Sequence, residues 1–320
     1  MDGAWRKPGR IRDDVRTGRS NNWGNRTAPA MEAAVRVLIT GGSGQLGRDL
    51  QKALPEHRVR AFGHEELDIT DAKRVIDEIE TLEPEVVIHA AALTDTSRCE
   101  REPDAAFAVN ALGSRNVAVA CARAGAAMVY VSTNEVFDGV LAEPYGEMDE
   151  PRPVNSYGRS KLAGERLVET LLPSHYIVRT AWLYGHGGDN FISKILRAAD
   201  RGDISGVVDE SATPTWTQDL AHALAQLIET GLFGVYHLTN GGQASRYQWS
   251  REILRLAGKS AAAVRPVTSQ EFRSSLPGGS LTPQKPQYSV LRNLAGAALN
   301  IELRSWQDAL AAYFAEDPTP

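Results

Sequence analysis

Val35-Arg36-Val37-Leu38-Ile39-Thr40-Gly41-Gly42-Ser43-Gly44-Gln45-Leu46-Gly47 is a short apolar run that breaks into a glycine-rich turn. A β-branched run that is apolar on both faces is the pattern of a parallel strand covered by helices on each side, so residues 37–40 read as a central strand. Gly41 can make the tight turn, Gly44 leaves no Cβ between the backbone and a pyrophosphate, and Gly47 lets the next helix lie close on the strand. The helix predicted over residues 45–54 would present free N–H groups and a partial positive charge to a phosphate. With a strand before it and a helix after it, the turn reads as a dinucleotide site.

Outward from this turn the chain alternates. Residues 59–62 read as a second strand, and 67–71 as a short extended piece that ends in a cap for a helix over 72–80. Residues 86–91 form a buried strand, 105–124 a long helix carrying Asn110, and 127–133 the next strand. A helix runs from Ser156 to about Leu171, and 176–180 return to the sheet. This rhythm predicts an α/β fold of the Rossmann type, a doubly wound parallel sheet over residues 35–180 to which later segments return. Residues 181–316 are more irregular and read mainly as a smaller α/β substrate-binding lobe over the C-terminal strand ends, where ligands of open α/β sheets sit. Residues 1–34, polar and without apolar periodicity, read as a disordered extension, and 317–320 as a tail.

Composition narrows the function. A chain of 320 residues can bury a substantial core. Two distant cysteines, Cys99 and Cys121, offer no disulfide framework, and the seven histidines show no ligand pair at helical spacing, so no metal is expected. Residues 1–30 carry seven Lys or Arg against three Asp, so the rest is more acidic than the net charge of −5 implies, which argues against nucleic acid. No stretch approaches the apolar length of a membrane span, and the N-terminus has no secretory hydrophobic region. A cytoplasmic protein that does not engage a membrane is expected.

Tyr157 and Lys161 lie four apart at a helix start, so both project from one face about a turn apart. Ser132-Thr133 at a strand end completes a Thr–Tyr–Lys set downstream of the nucleotide turn. Hydride transfer to a carbonyl needs such a set, because negative charge develops on oxygen and must be met by a proton donor. Tyr157 would supply the proton, and Lys161 would stabilise the phenolate, lower its pKa and bond the nicotinamide ribose. Thr133 would hold the carbonyl oxygen.

These motifs resemble the extended short-chain dehydrogenase/reductase superfamily and, within it, the dTDP-4-dehydrorhamnose reductase family. The resemblance spans residues 35–316. It rests on the glycine turn, Leu67-Asp68-Ile69-Thr70-Asp71, His89-Ala90-Ala91-Ala92, Val109-Asn110-Ala111-Leu112-Gly113, Val131-Ser132-Thr133, Val136-Phe137-Asp138-Gly139, Tyr157-Gly158-Arg159-Ser160-Lys161 and Arg179-Thr180-Ala181-Trp182-Leu183-Tyr184-Gly185. It continues through Pro214-Thr215, 234–240 and 305–310. The resemblance implies Thr133, Tyr157 and Lys161 as catalytic residues. It implies Gly41, Gly44, Gln45, Leu46 and Gly47 along the pyrophosphate, Asp68 and Ile69 near the adenine, and Ala90, Ala91 and Ala92 along the cofactor. Thr94, Thr133, Glu135, Trp182 and Asn190 would line a nucleotide-sugar pocket, although Trp182 as a core aromatic and Asn190 as a helix cap are the ordinary readings.

The implied reaction is reduction of the 4-keto group of dTDP-4-dehydro-6-deoxy-L-mannose to dTDP-L-rhamnose, and a homodimer is compatible with it. The alternatives are another nucleotide-activated deoxysugar, or a regulatory subunit like that of methionine adenosyltransferase, against which the intact Thr–Tyr–Lys set argues. The chain also departs from the family pattern. Asn134-Glu135 stands where Asp-Tyr is common, Thr96 where a small apolar residue is usual, and Lys285-Pro286 where Arg-Pro is common, which loses a bidentate fork.

The end of the second strand bears on the cofactor. An NAD-specific site puts a carboxylate on the ribose 2′-hydroxyl there, and none stands within residues 59–64. His64, or Arg60 turned inward, could meet a 2′-phosphate, so NADPH is expected with NADH tolerated. Glu65 and Glu66 remain the candidates for a ribose ligand if NADH is preferred.

Overall fold

The glycine turn follows β1 (Arg36–Thr40), whose last four residues are buried, and leads into α1 (Gln45–Ala53). The computed structural model describes residues 34–202, 204–276 and 282–316. Apart from Ala34, the extension and tail expected at the two ends lie outside the described residues. The described residues belong to one compact unit.

Around β1 lie β2 (Arg58–Phe62), β3 (Val86–His89), β4 (Ala127–Thr133), β5 (His175–Thr180) and β10 (Gly234–His237), in the order β10-β5-β4-β3-β1-β2. Every pairing is parallel. All four residues of β3 are buried, as a strand covered on both faces requires. Each such Val or Ile side chain contributes roughly 1.5–3 kcal/mol of burial. At the edge, β2 exposes Arg58 and Arg60, charges that discourage pairing with another chain. The chain leaves β1 for β2 on one side and returns to β3 on the other. This reversal opens a crevice at the C-terminal ends of β1 and β3, the usual ligand position in such sheets.

Two segments differ from the sequence reading. Residues 67–71 form turns without strand pairing; Asp68 accepts from the Thr70 amide and hydroxyl at 2.9 and 2.8 Å, a local bond that competes with a ladder. Asp71 does cap α2 (Ala72–Leu82), accepting from Arg74 N. The long helix is α4 (Pro103–Phe107) and α5 (Ser114–Ala124) joined through a π-helical turn, Ala108–Gly113. Residues 103–124 are long and apolar enough to cross a membrane, which corrects the expectation that no stretch is. They owe that composition to the core, since more than half of the segment's most apolar 18 residues are buried.

Beyond β5 the elements shorten. β6 (Leu183–Tyr184) pairs with β9 (Thr215–Trp216), β7 (Ile204–Val207) with β12 (Val264–Val267), and β8 (Ser211–Ala212) with β11 (Ala244–Ser245). With α7 (Phe191–Arg201), α9 (Arg246–Leu256) and α11 (Trp306–Glu316) they enclose an aromatic core of Tyr184, Trp216, Trp249, Trp306, Tyr313 and Phe314. α8 (Thr217–Thr230) returns to the main sheet, where the Thr217 hydroxyl donates to Asp49 of α1 at 2.6 Å.

Candidate active site

The glycine turn is shaped by what a side chain would strike. A Cβ at Gly47 would lie 2.2 Å from Gly41 O, so α1 can cross the turn only without one. Gly41 has φ +76°, and a Cβ there would lie 2.7 Å from Ala91 N, which brings the end of β1 against the Ala90–Ala92 backbone. No side chain caps α1, so its first amides face the crevice unpaired by a cap. A dinucleotide pyrophosphate fits such a cradle.

The crevice continues as a cavity of about 820 Å³. Apart from Arg60, Glu65 and Glu66, every site residue singled out from the sequence lines it. Gly41, Gly44, Gln45, Leu46 and Gly47 stand at the cradle end with Ala90, Ala91 and Ala92. His64, Asp68 and Ile69 form one flank. Thr94, Thr133, Glu135, Tyr157, Lys161, Trp182 and Asn190 surround the other end. Arg60 does not line it, because its guanidinium lies over the Phe62 ring and 3.7 Å from Glu66. Glu66 folds back onto Gly63 N at 2.9 Å, and neither Glu65 nor Glu66 lines the cavity.

Thr133 ends β4, and Tyr157 opens α6 (Ser156–Leu171). They meet because α6 starts hard against the turn after β4: a Cβ at Gly158 would lie 2.1 Å from Glu135 O. Asn155 caps α6 through Gly158 N at 2.8 Å and also donates to Glu135 Oε2 at 2.7 Å. Asn110, in the π-helical turn, accepts from Leu93 N at 2.8 Å and donates to Ser160 at 3.0 Å. It thereby fastens the 90–94 wall to α6, and π-helical turns often mark functional sites.

Lys161 is buried, with Nζ 4.1 Å from the centre of the Tyr130 ring. Lys161 lines the cavity and makes no side-chain hydrogen bond among the described residues, so its donors can meet groups entering. Burial pulls its pKa down to about 7, against the opposing charge of Glu165. Tyr157 corrects an expectation. Its phenol is pushed above the ordinary range by burial and then by the Glu135 carboxylate, while the Thr133 hydroxyl draws it down. Burial dominates, since the low polarity that weakens the Lys161 ammonium also disfavours a phenolate.

Two departures from the family pattern prove to be partners. Lys285 Nζ donates to Glu135 Oε1 at 2.7 Å, 150 positions away in sequence, and both line the cavity. Asn190 caps α7 through Ser193 N and donates to Gly185 O, leaving one amide hydrogen unassigned by these bonds. Trp182 has φ +43°, a strained conformation for a bulky residue, and stacks on Trp249. Sequence reasoning missed Asn155, Arg246 and the Glu165–Arg179 pair. Asn155 carried the one local signal, as an Asn before a helix.

Residues 35–318 match the family described as RmlD substrate binding domain. The chain belongs to this family. A dTDP-4-dehydrorhamnose reductase from Streptomyces griseus is 41% identical over 289 residues, covering 87% of this chain and 93% of that one. A dTDP-4-keto-6-deoxy-D-glucose reductase from Streptomyces niveus is 39% identical, covering 87% and 96%. A crystal structure of dTDP-4-dehydrorhamnose reductase from Bacillus anthracis in complex with NADP has a TM-score of 0.83 and 38% identity, covering 89% of this chain and all of that one. This member of the RmlD family is an NAD(P)H-dependent oxidoreductase with a Rossmann-type sheet.

Proposed function

We propose that this protein reduces the 4-keto group of dTDP-4-dehydro-6-deoxy-L-mannose with NADPH, giving dTDP-L-rhamnose. The observation that carries the reading is one continuous cavity that joins the glycine cradle to Thr133, Tyr157 and Lys161. The names of similar proteins and the NADP in a related crystal structure support it. Residues 35–180 would mainly hold the cofactor and 181–316 the sugar nucleotide. A cytoplasmic homodimer fits this reading.

When bound, the reduced nicotinamide supplies the hydride. Thr133 orients the carbonyl oxygen, and Tyr157 gives it a proton. A phenol held above its ordinary pKa is protonated across the neutral range, as a donor must be. Lys161 directs its free donors to the ribose. The direct test is to follow absorbance of reduced cofactor with this keto sugar and a panel of others. Co-purification of a partner without turnover of any keto sugar would defeat the enzyme reading.

His64 lines the cavity where Glu65 and Glu66 do not, which favours a 2′-phosphate. NADPH should be preferred, with NADH tolerated. His64→Ala should reduce the NADPH-over-NADH ratio of kcat/KM by roughly tenfold or more at low ionic strength, the value of a charge-assisted bond. A wild type that strongly prefers NADH would reverse the assignment.

A second sugar is favoured by the Glu135–Lys285 pair, which puts charge where relatives commonly carry an aromatic contact. Glu135→Tyr combined with Lys285→Arg should change relative kcat/KM among keto sugars by roughly threefold or more, about 0.7 kcal/mol of discrimination. Constant ratios across the panel would remove the pair from sugar recognition.

A further inference from the structure

Arg246 is the first residue of α9, fixed there by Ser245, whose hydroxyl accepts from Gln248 N at 3.1 Å and whose amide donates to Gln248 Oε1 at 2.8 Å. Its guanidinium carbon sits 3.6 Å from the centre of the Trp182 ring, 4.8 Å from Phe191 and 5.6 Å from Trp249. Stacking covers a face of the guanidinium and leaves its N–H edges free, since the donors lie in the plane. Other arginines near the cavity have spent theirs: Arg48 on the carbonyls of Ser43, His186 and Gly187, and Arg179 on Glu165. Among the described residues, the Arg246 side chain makes no hydrogen bond and no ion pair.

The two carboxylates that act on it do so through space, and both have nearer partners. Glu135 is held by Lys285 and Asn155, and Glu210 has Arg273 at 4.0 Å. Arg246 is therefore a half-buried cation without a bonded counter-charge, on the wall of a cavity. That arrangement is costly unless an anion arrives.

We propose that Arg246 binds the diphosphate of the nucleotide-activated sugar, a role that rests on the substrate class given above. The planar fork suits two phosphate oxygens at once. The cofactor's pyrophosphate has its own place at the glycine cradle, whereas the contacts of Arg246 are Trp182, Phe191 and Trp249. It also feels Glu135, two residues past Thr133, which sets it at the carbonyl end of the cavity.

The test measures binding of dTDP, thymidine, inorganic pyrophosphate and NADPH to the full chain by calorimetry, in the wild type, Arg246→Met and Arg246→Lys. Met keeps an apolar stem against the rings, and Lys keeps the charge without the fork. Arg246→Met should weaken dTDP and pyrophosphate at least about tenfold, with Lys intermediate, while thymidine and NADPH change less than about twofold. Unchanged dTDP binding overturns the proposal. So does an equal loss for thymidine, which would make Arg246 a shaper of the pocket, or a loss for NADPH, which would give it to the cofactor. UDP and GDP separate the two readings: tenfold loss on either, with no dTDP binding by the wild type, keeps Arg246 and displaces the thymidine sugar.

Discussion

Tyr157→Phe is expected to lower turnover at least about a hundredfold while NADPH affinity changes less than about threefold. The substitution removes one oxygen and leaves the ring, so the cradle at Gly41–Gly47 is untouched. Water is a weak replacement as donor, because the phenol is held beside Thr133 in a site of low polarity. Since the folded phenol sits above its ordinary pKa, raising pH through the neutral range does not deprotonate it. The wild type should therefore show no loss of activity from this group until well above pH 10. Steady-state rates and a cofactor titration on the same preparation check both parts. Turnover within tenfold of wild type would mean another group supplies the proton.

Much of the frame could be read from local sequence because its signals are local. β4 and α6 fall where the residues place them, since an uninterrupted apolar run and a helical stretch do not depend on distant partners. The π-helical turn could not be read. It is fixed by Asn110 bonding Leu93 and Ser160, 17 and 50 positions away, and nothing in Val109-Asn110-Ala111 announces those bonds. The extended reading of 67–71 failed for the opposite reason, because Asp68 satisfies its neighbours locally and frees the segment from any ladder.

The candidate site divides in the same way. Residues in ordered motifs, such as Thr133 and Lys161, line the cavity as read. Glu135 and Lys285 each stood out only as departures, and their pairing belongs to the fold because 150 residues separate them. The acidity of Tyr157 was misjudged because spacing reveals a neighbour but not the depth of burial, and depth dominates here.

Glu165→Leu is expected to cost about 3–5 kcal/mol of stability in urea unfolding, the scale for breaking a buried ion pair from one side. Glu165 and Arg179 have side chains only 2% and 6% exposed, joined at 2.7 Å between Oε2 and Nη2 and again through Nε at 3.1 Å. The Ser132 hydroxyl also donates to Glu165, so this carboxylate ties α6 to β4 one residue before Thr133. Without it the guanidinium would lie beside Phe137, 5.2 Å from the ring centre, and near His237. His237 offers no counter-charge: burial and then Arg179 hold its pKa down to about 4, so it stays neutral beside the guanidinium. The exposed pair Arg152–Glu150 is the control, and its removal should cost no more than about 1 kcal/mol. Adding Arg179→Met to Glu165→Leu should recover most of the loss, because two apolar side chains of similar volume carry no stranded charge. A single-variant loss below about 1 kcal/mol, or a double variant no better than the single, would show that the pair does not hold the two elements together.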